Sequence, residues 1–268
     1  MLDFGLWYAA KGTTPLDLDP TTHIVFGWIH NLQLMEMHAL ESTCGNQYTI
    51  PRILTLSDDG DELRLLPLPA LVHLRLPLSS ATFSHDAIGS VQLLDAGRTV
   101  STVKGTVLHL NALLPCNLAA HAAFFGVHLL SGVNETTCIG WDSHTERVTI
   151  DRSMTSAHGV GQSTPMTAKL KGGCMPGEQL NLTAVVDGGI LEVYVNDRFA
   201  ITTALWPTEN ISPGMREVGL VARKQRDDGG AGGASGRAPA MGAVPEQVEL
   251  SVWKLQTAGV LTPAQPYG

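Results

Sequence analysis

The chain has 268 residues, of which 44% are hydrophobic and 16% charged, and its formal net charge is −8. An acidic balance with no Lys/Arg cluster to meet phosphates argues against a nucleic-acid partner. No apolar run reaches the length a helix needs to span a bilayer, so no membrane partner is expected.

The chain opens MLDFGLWY, with Asp at the third position and neither a basic n-region nor an apolar h-region, so no signal peptide is expected. Residues 23–30, HIVFGWIH, are a short apolar run expected to be a strand buried on both faces. Residues 47–57, QYTIPRILTLS, read as strand, with Pro51 marking an edge or a bulge because proline donates no ladder hydrogen bond. Residues 61–76 give two short extended pieces punctuated by Pro67 and Pro69. The signals weaken over 77–104, where residues 90–99 allow a short helix or turn.

From about residue 105 the pattern is regular. Nine strand candidates, at 106–113, 122–132, 136–142, 146–153, 179–187, 190–196, 198–206, 216–223 and 247–256, are separated by turn residues. In the stretch 190–207, Leu191, Val193 and Val195 point one way and Glu192 and Tyr194 the other. Asn196 and Asp197 tolerate positive φ and suit a two-residue hairpin turn. Many short strands in series, with no amphipathic helix of length, predict an antiparallel two-sheet sandwich. Residues 224–245 are Gly-, Ala- and Pro-rich and are expected to form a flexible surface loop; no P-loop Lys-Ser/Thr follows them.

Cys44, Cys116, Cys138 and Cys174 have no CxxC spacing, so zinc is not expected. Buried free thiols are the preferred reading, with one or two disulfides the alternative for a secreted chain. Asn134-Glu-Thr and Asn181-Leu-Thr are N-glycosylation acceptor sequences; Asn210-Ile-Ser is weakened by Pro213.

Several stretches together resemble glycoside hydrolase family 32, the invertases, inulinases and fructosyltransferases. They are LDFGLWYAAKG (2–12), HIVFGWIHN (23–31), the run from Tyr48 to Arg75, VTIDRS (148–153) and LEVYVNDRFAITTALWP (191–207). They occur in family order from Asp3 to Trp253. The resemblance implies an all-β chain: a remnant of a five-bladed propeller over 1–76, its last blade, a linker over 77–104, and the sandwich over 105–257. It also implies a retaining mechanism on fructosyl bonds of sucrose, inulin or levan, with no cofactor and no metal. The partner implied is a fructose-containing sugar or fructan once the propeller is complete. Full-length members are secreted.

The family's three acids lie in N-D-P-N-G, R-D-P and E-C motifs, and none of these is in the sequence. No catalytic residue is therefore assigned. The chain is expected to be inactive alone and to read as a piece of a longer gene product, with the sandwich stabilising the propeller. A lone blade would also leave an apolar face exposed. Asp3 is the one substrate-binding candidate, because the resemblance places that Asp on sugar hydroxyls; the competing reading is a frayed terminus. Leu6 stands where plant members often carry Lys.

The other candidates read as structural. Asp58, Asp59, Asp61 and Glu62 suit a solvated hairpin turn around Gly60. Asp151 and Arg152 suggest a local ion pair, and Glu192 is expected to face solvent or the neighbouring blade. His121 and His128 lack an HExxH context. Trp7 and Trp28 are expected in the core rather than stacked on sugar, as are Trp141, Trp206 and Trp253. The alternative function is a non-catalytic, lectin-like carbohydrate-binding sandwich, against which no cluster of exposed aromatics stands out in the sequence.

Overall fold

The computed structural model describes residues 2–14, 22–30, 46–57, 59–86, 103–132, 134–156, 164–205, 217–224 and 247–256. The Gly-rich stretch 225–245, the 90–99 turn, Cys44, Asp58, Trp206 and Asn210 lie outside the described residues. Sixteen strands and two short 3-10 turns make up the described elements.

The N-terminal sheet holds β1 (Trp7–Thr13), β2 (His23–His30), β3 (Asn46–Tyr48), β4 (Arg52–Leu56) and β5 (Leu63–Pro67), all antiparallel. Its order is β1-β2-β4-β5, and β3 also pairs with β2. Pro51 falls in the gap between β3 and β4, both of which pair with β2, so the missing N–H interrupts no ladder. The expectation that 23–30 is buried on both faces is corrected. Gly27 and Ile29 are buried, but Phe26 is 40% exposed, because only one face of this sheet packs on another layer.

The sandwich follows. One sheet has the order β11-β10-β9-β8-β15, built from β8 (Ala122–Ser131), β9 (Thr136–Asp142), β10 (Arg147–Met154), β11 (Met166–Ala168) and β15 (Glu217–Lys224). The other has the order β14-β13-β12-β7-β16-β6, built from β6 (Arg75–Asp86), β7 (Val107–Pro115), β12 (Gln179–Asp187), β13 (Ile190–Val195), β14 (Phe199–Ala204) and β16 (Gln247–Leu255). All nine strand candidates after residue 105 are strands here. β6 starts at Arg75, ahead of the 77–104 stretch read as a linker, runs into it and pairs with β16, Ser84 opposite Glu249 and Ala81 opposite Val252.

The inner faces of both sheets form one core. Leu108, Leu110 and Ala112 meet Leu180, Leu182 and Ala184 from one side and Phe125, Val127, Ile139 and Ile150 from the other. Every second residue points inward, as the pleat requires, and each buried Leu or Val adds about 1.5–3 kcal/mol. A disulfide joins Cys116 to Cys174, their Cα atoms 5.1 Å apart, so the preference for free thiols is corrected for this pair. Cys116 opens the 3-10 turn after β7 and Cys174 lies in the loop before β12, 58 residues on in sequence, a proximity that only the folded sheet creates. Cys138 is free and buried.

The turn joining β13 to β14 has Asn196 at φ 48° and Asp197 at φ 58°, the positive φ expected of them, but Val195 pairs with Phe199, so the loop holds three residues, Asn196 to Arg198, one more than the two-residue turn expected. Asn196 is fixed further. Its Oδ1 accepts from the Asn181 N–H at 2.7 Å, and its N–H donates to the Asn181 carbonyl at 2.9 Å. The Asp197 carbonyl accepts from the Leu65 N–H at 3.0 Å, so the same turn reaches β5 of the N-terminal sheet.

Candidate functional site

Residues 2–6 run beside β14 as a strap. The Ala200 N–H donates to the Leu2 carbonyl, the Phe4 N–H to Ala200, and the Leu6 N–H to Thr202, at 2.9, 3.0 and 2.8 Å. Asp3 and Ala200 form a parallel bridge. Gly5 is required by closeness: a Cβ there would stand 1.9 Å from the Thr202 carbonyl oxygen. The strap delivers Asp3 to the outer face of the β13–β14 hairpin, and β4 delivers Arg52 to the same place.

Arg52 is the centre of the cluster and is fully buried. Its Nη1 donates to Asp3 Oδ2 at 2.7 Å, while Nε and Nη2 donate to Glu192 Oε2 at 3.0 and 2.7 Å. Nη2 also donates to Thr202 Oγ1 at 2.5 Å, whose hydroxyl in turn donates to Asp3 Oδ2 at 2.5 Å. Asp3 Oδ1 accepts from the N–H groups of Gly5 at 2.7 Å and Thr202 at 3.2 Å. Glu192 Oε1 accepts from the Ile50 N–H at 2.7 Å, and Oε2 from the Tyr194 hydroxyl at 2.8 Å. The guanidinium lies 5.1 Å from the Trp7 ring and 5.3 Å from the Tyr194 ring. Trp7 fits against Gly27, where any side chain would collide with its indole.

Each carboxylate thus receives four hydrogen bonds, the most its two oxygens ordinarily accept. One guanidinium faces two carboxylates, so the cluster buries an excess negative charge that only these donors offset. Burial pushes the Glu192 carboxyl up from its ordinary value, with Arg52 and the Ile50 N–H opposing. Burial alone would lower the Arg52 guanidinium, but Tyr194, Glu192 and Asp3 outweigh it and raise its affinity for its proton. Tyr194 is pushed well above the usual phenol range by burial and by Glu192.

This arrangement can hold two layers together; it offers no catalytic pair. A retaining glycosidase needs two carboxyl groups about 5–5.5 Å apart across an open sugar site. Asp3 and Glu192 instead close on one guanidinium, with side-chain exposures of 1% and 2%. Asp3 is therefore not frayed, and its filled oxygens leave no free acceptor for a sugar hydroxyl. Glu192 does not face solvent; it faces the N-terminal sheet, buried. The sequence reading missed Arg52, Tyr194 and Thr202. The available signal was Arg52 itself, in strand alternation with Leu54 on a face that must pack inward.

The remaining candidates scatter. Asp59, Asp61 and Glu62 lie on the β4–β5 connection. Asp59 is held below the usual carboxylate range by the Ser57 hydroxyl, and Glu62 by Lys171, with Arg198 Nε 3.4 Å away. With Lys171, Asp197 and Arg198, Asp59 and Glu62 border a groove of about 560 Å³ between the N-terminal sheet and the sandwich. Its charges are of both signs and partly paired.

Asp151 and Arg152 do not pair, since neighbours on a strand point to opposite faces. Asp151 accepts from Arg223 Nη1 at 3.4 Å, and Arg152 is buried and donates to the Ala204 carbonyl at 3.3 Å. His121 precedes β8, while His128 lies within it and shares a 2.7 Å hydrogen bond with Ser131 Oγ, so they form no joint site. Among the described residues no His, Cys, Asp and Glu side chains gather as a metal cluster. Trp141 is in the core. Trp253 is on the outer face of its sheet, with the Arg75 guanidinium 3.6 Å from its ring centre. Trp7 packs inward, whereas Trp28 stands on the opposite, open face of β2, beside Tyr8. Asn134 is exposed between β8 and β9; Asn181 is half-buried in β12.

Comparison with known proteins places this geometry. No curated protein matches the chain. Among solved structures, an exo-inulinase from Aspergillus awamori is 19% identical, with TM-score 0.64 over 95% of this chain and 44% of that one. Fructan 1-exohydrolase IIa from Cichorium intybus, solved with 1-kestose, is 13% identical, with TM-score 0.66 over 96% and 49%. A β-fructofuranosidase from Aspergillus kawachii is 19% identical, with TM-score 0.62 over 99% and 48%. At these identities the likeness is one of fold, and the chain spans about half the length of the structures it matches. The family described as "Glycosyl hydrolases family 32 C terminal" matches residues 74–228, more than half of the chain and most of the sandwich. The chain therefore belongs to glycoside hydrolase family 32, through that family's C-terminal domain.

Proposed function

We propose that this chain is the last propeller blade and C-terminal sandwich of a β-fructofuranosidase-type hydrolase. The complete enzyme would act on fructosyl bonds of sucrose, inulin or levan with retention. The blade lies within residues 1–76, and the sandwich spans 105–257 with β6 (Arg75–Asp86) added at the edge of its six-stranded sheet. The sandwich's role is to hold the blade in place, and the bond-breaking acids belong to polypeptide outside this chain. The observation that carries the reading is the Asp3–Arg52–Glu192 cluster: the two acids buried at the junction are spent on binding one layer to the other. A nucleophile and an acid/base supply much of a glycosidase's rate, and these two cannot serve.

The solved relatives support the substrate class, since they were crystallised with 1-kestose, with fructose and with fructosyl-erythritol. The Cys116–Cys174 disulfide supports an oxidising compartment, and with it secretion and glycosylation at Asn134 and Asn181. The test is direct. The purified chain is incubated with sucrose and with inulin, and released fructose is measured. No release above buffer is expected; release at an ordinary glycosidase turnover overturns the reading.

A further inference from the structure

The connection from β11 to β12, residues 169–178, forms one wall of the groove between the N-terminal sheet and the sandwich. Leu170, Lys171, Gly173 and Glu178 line that wall, and Asp59 and Glu62 line the one opposite, so both walls belong to this chain. Within the connection Leu170 and Cys174 alone are buried. Gly172, Gly173 and Gly177 stand at φ 85°, 76° and 87°, a backbone that favours glycine, with open space where a side chain would be.

The two ends of the loop are held differently. Near β11, the Lys171 ammonium pairs with Glu62, and the Lys171 carbonyl accepts from Arg198 Nη1 at 3.4 Å. The Lys171 side chain is 82% exposed, so this ion pair adds little to stability. Near β12, the Gly177 N–H donates to Asn117 Oδ1 at 2.8 Å, and the Cys116 N–H donates to the Glu178 carbonyl at 2.9 Å. The Cys116–Cys174 disulfide closes the contact. It is the one covalent hold on a glycine-rich loop whose other contacts are a few hydrogen bonds and an exposed ion pair.

We propose that this disulfide is a redox latch: a dithiol reductant opens it and frees residues 171–177 from the groove wall. Cys174 is 9% exposed and Cys116 2%, so Cys174 presents its sulfur to an incoming thiolate. The thiolate bonds to Cys174 Sγ, the bond to Cys116 breaks, and Cys116 leaves as a thiolate that takes up a proton. The reductant's second thiol then attacks its own sulfur in the mixed disulfide and releases Cys174 as a thiol. Two electrons and two protons pass to the protein, and the reductant ends as a disulfide. The sandwich outlasts the step because its core is carried by strands. Leu110 and Leu182, Val127 and Ile139 come from ladders that pass through neither member of the disulfide.

Amide exchange of the full chain, read residue by residue by NMR with and without dithiothreitol, tests this. The N–H groups of Gly173, Gly177 and Glu178 donate to the Leu170 carbonyl, Asn117 Oδ1 and the Met175 carbonyl. On reduction they should exchange about tenfold faster, while the β12 amides keep their rate. Cys116→Ser with Cys174→Ser should show the fast loop rate without reductant and ignore its addition. Lys171→Gln should leave loop exchange in the oxidised chain as it was. Unchanged loop exchange on reduction overturns the proposal, as does a disulfide that dithiothreitol reduces only in urea. Acceleration of β12 along with the loop, or a double variant that does not fold, overturns it too, because the disulfide is then a staple of the whole sandwich. Faster loop exchange in Lys171→Gln would move the hold to the ion pair and also overturn it. None of these results bears on whether the chain releases fructose, so this proposal and the enzymatic one fail separately.

Discussion

The β13–β14 hairpin is held by opposite physics on its two faces. Inward, Leu191, Val193, Val195 and Ile201 join the sandwich core, where burial is non-directional and roughly proportional to area. Outward, Glu192, Tyr194 and Thr202 hold Arg52 and Asp3 through directed, charge-assisted hydrogen bonds. An apolar face can repack around a lost methyl group. A buried ionic cluster that loses its centre leaves charges with nowhere to go. The comparison thus predicts that the outer face is the more brittle, although it is the smaller.

Arg52→Ala is the sharpest way to break that comparison. It leaves Asp3 and Glu192 buried without a counter-ion, a cost of about 3–5 kcal/mol for a single broken pair and at the upper end here. Urea denaturation should show the N-terminal sheet separating early, followed by Trp7 and Trp28 fluorescence. Joint replacement of Arg52, Asp3 and Glu192 by apolar residues of similar size should cost far less than Arg52→Ala alone. Equal losses would mean that the cluster acts as packing rather than as charge.

Reducing the Cys116–Cys174 disulfide comes next. A closure across 58 residues of sequence is worth about 4 kcal/mol on the chain-entropy model. Cys116→Ser with Cys174→Ser should therefore lower the sandwich's denaturation midpoint and leave the Arg52 junction's own transition in place. Leu191→Ala tests the apolar face of the hairpin and should cost about 3 kcal/mol, within the usual range for a buried leucine. If it cost more than Arg52→Ala, the claim that the polar face is the brittle one would be wrong.

The strands were legible from sequence because the sandwich alternates. Leu180, Leu182, Ala184 and Val186 face the core, and the residues between them do not. The Asn196-Asp197 turn was legible because few residue pairs accept positive φ. The junction was not. Alternation marks Glu192 as lying opposite the core, but a periodic pattern cannot tell solvent from a second layer, and the partner residues are distant in sequence. Arg52 meets Glu192 140 residues away and Thr202 150 away. Cys116 and Cys174 likewise meet only where the turn after β7 folds against the loop before β12.

The smallest expected effect concerns His109, on the outer face of the same six-stranded sheet but away from the Arg52 junction. Its ring lies 5.7 Å from Trp253, and its Nδ1 accepts from Arg75 Nε at 3.2 Å. Burial, with the Arg75 charge adding, lowers its pKa from 6.5 to about 4. The folded protein therefore resists protonating a group that the unfolded chain protonates readily. The stability this gives is complete above pH 6.5 and is lost progressively as the pH falls towards 4, by about 3 kcal/mol in all. Glu192 works the other way: its raised carboxyl makes the folded state relatively better off on acidification above the ordinary carboxylate value. The parent and His109→Gln share Glu192, so the difference between their urea stabilities at pH 7 and pH 4.5 isolates the histidine. The parent should lose more on acidification than His109→Gln does. Parallel losses would show that His109 carries no proton-linked stability, and that the Arg75–His109–Trp253 stack holds by packing alone.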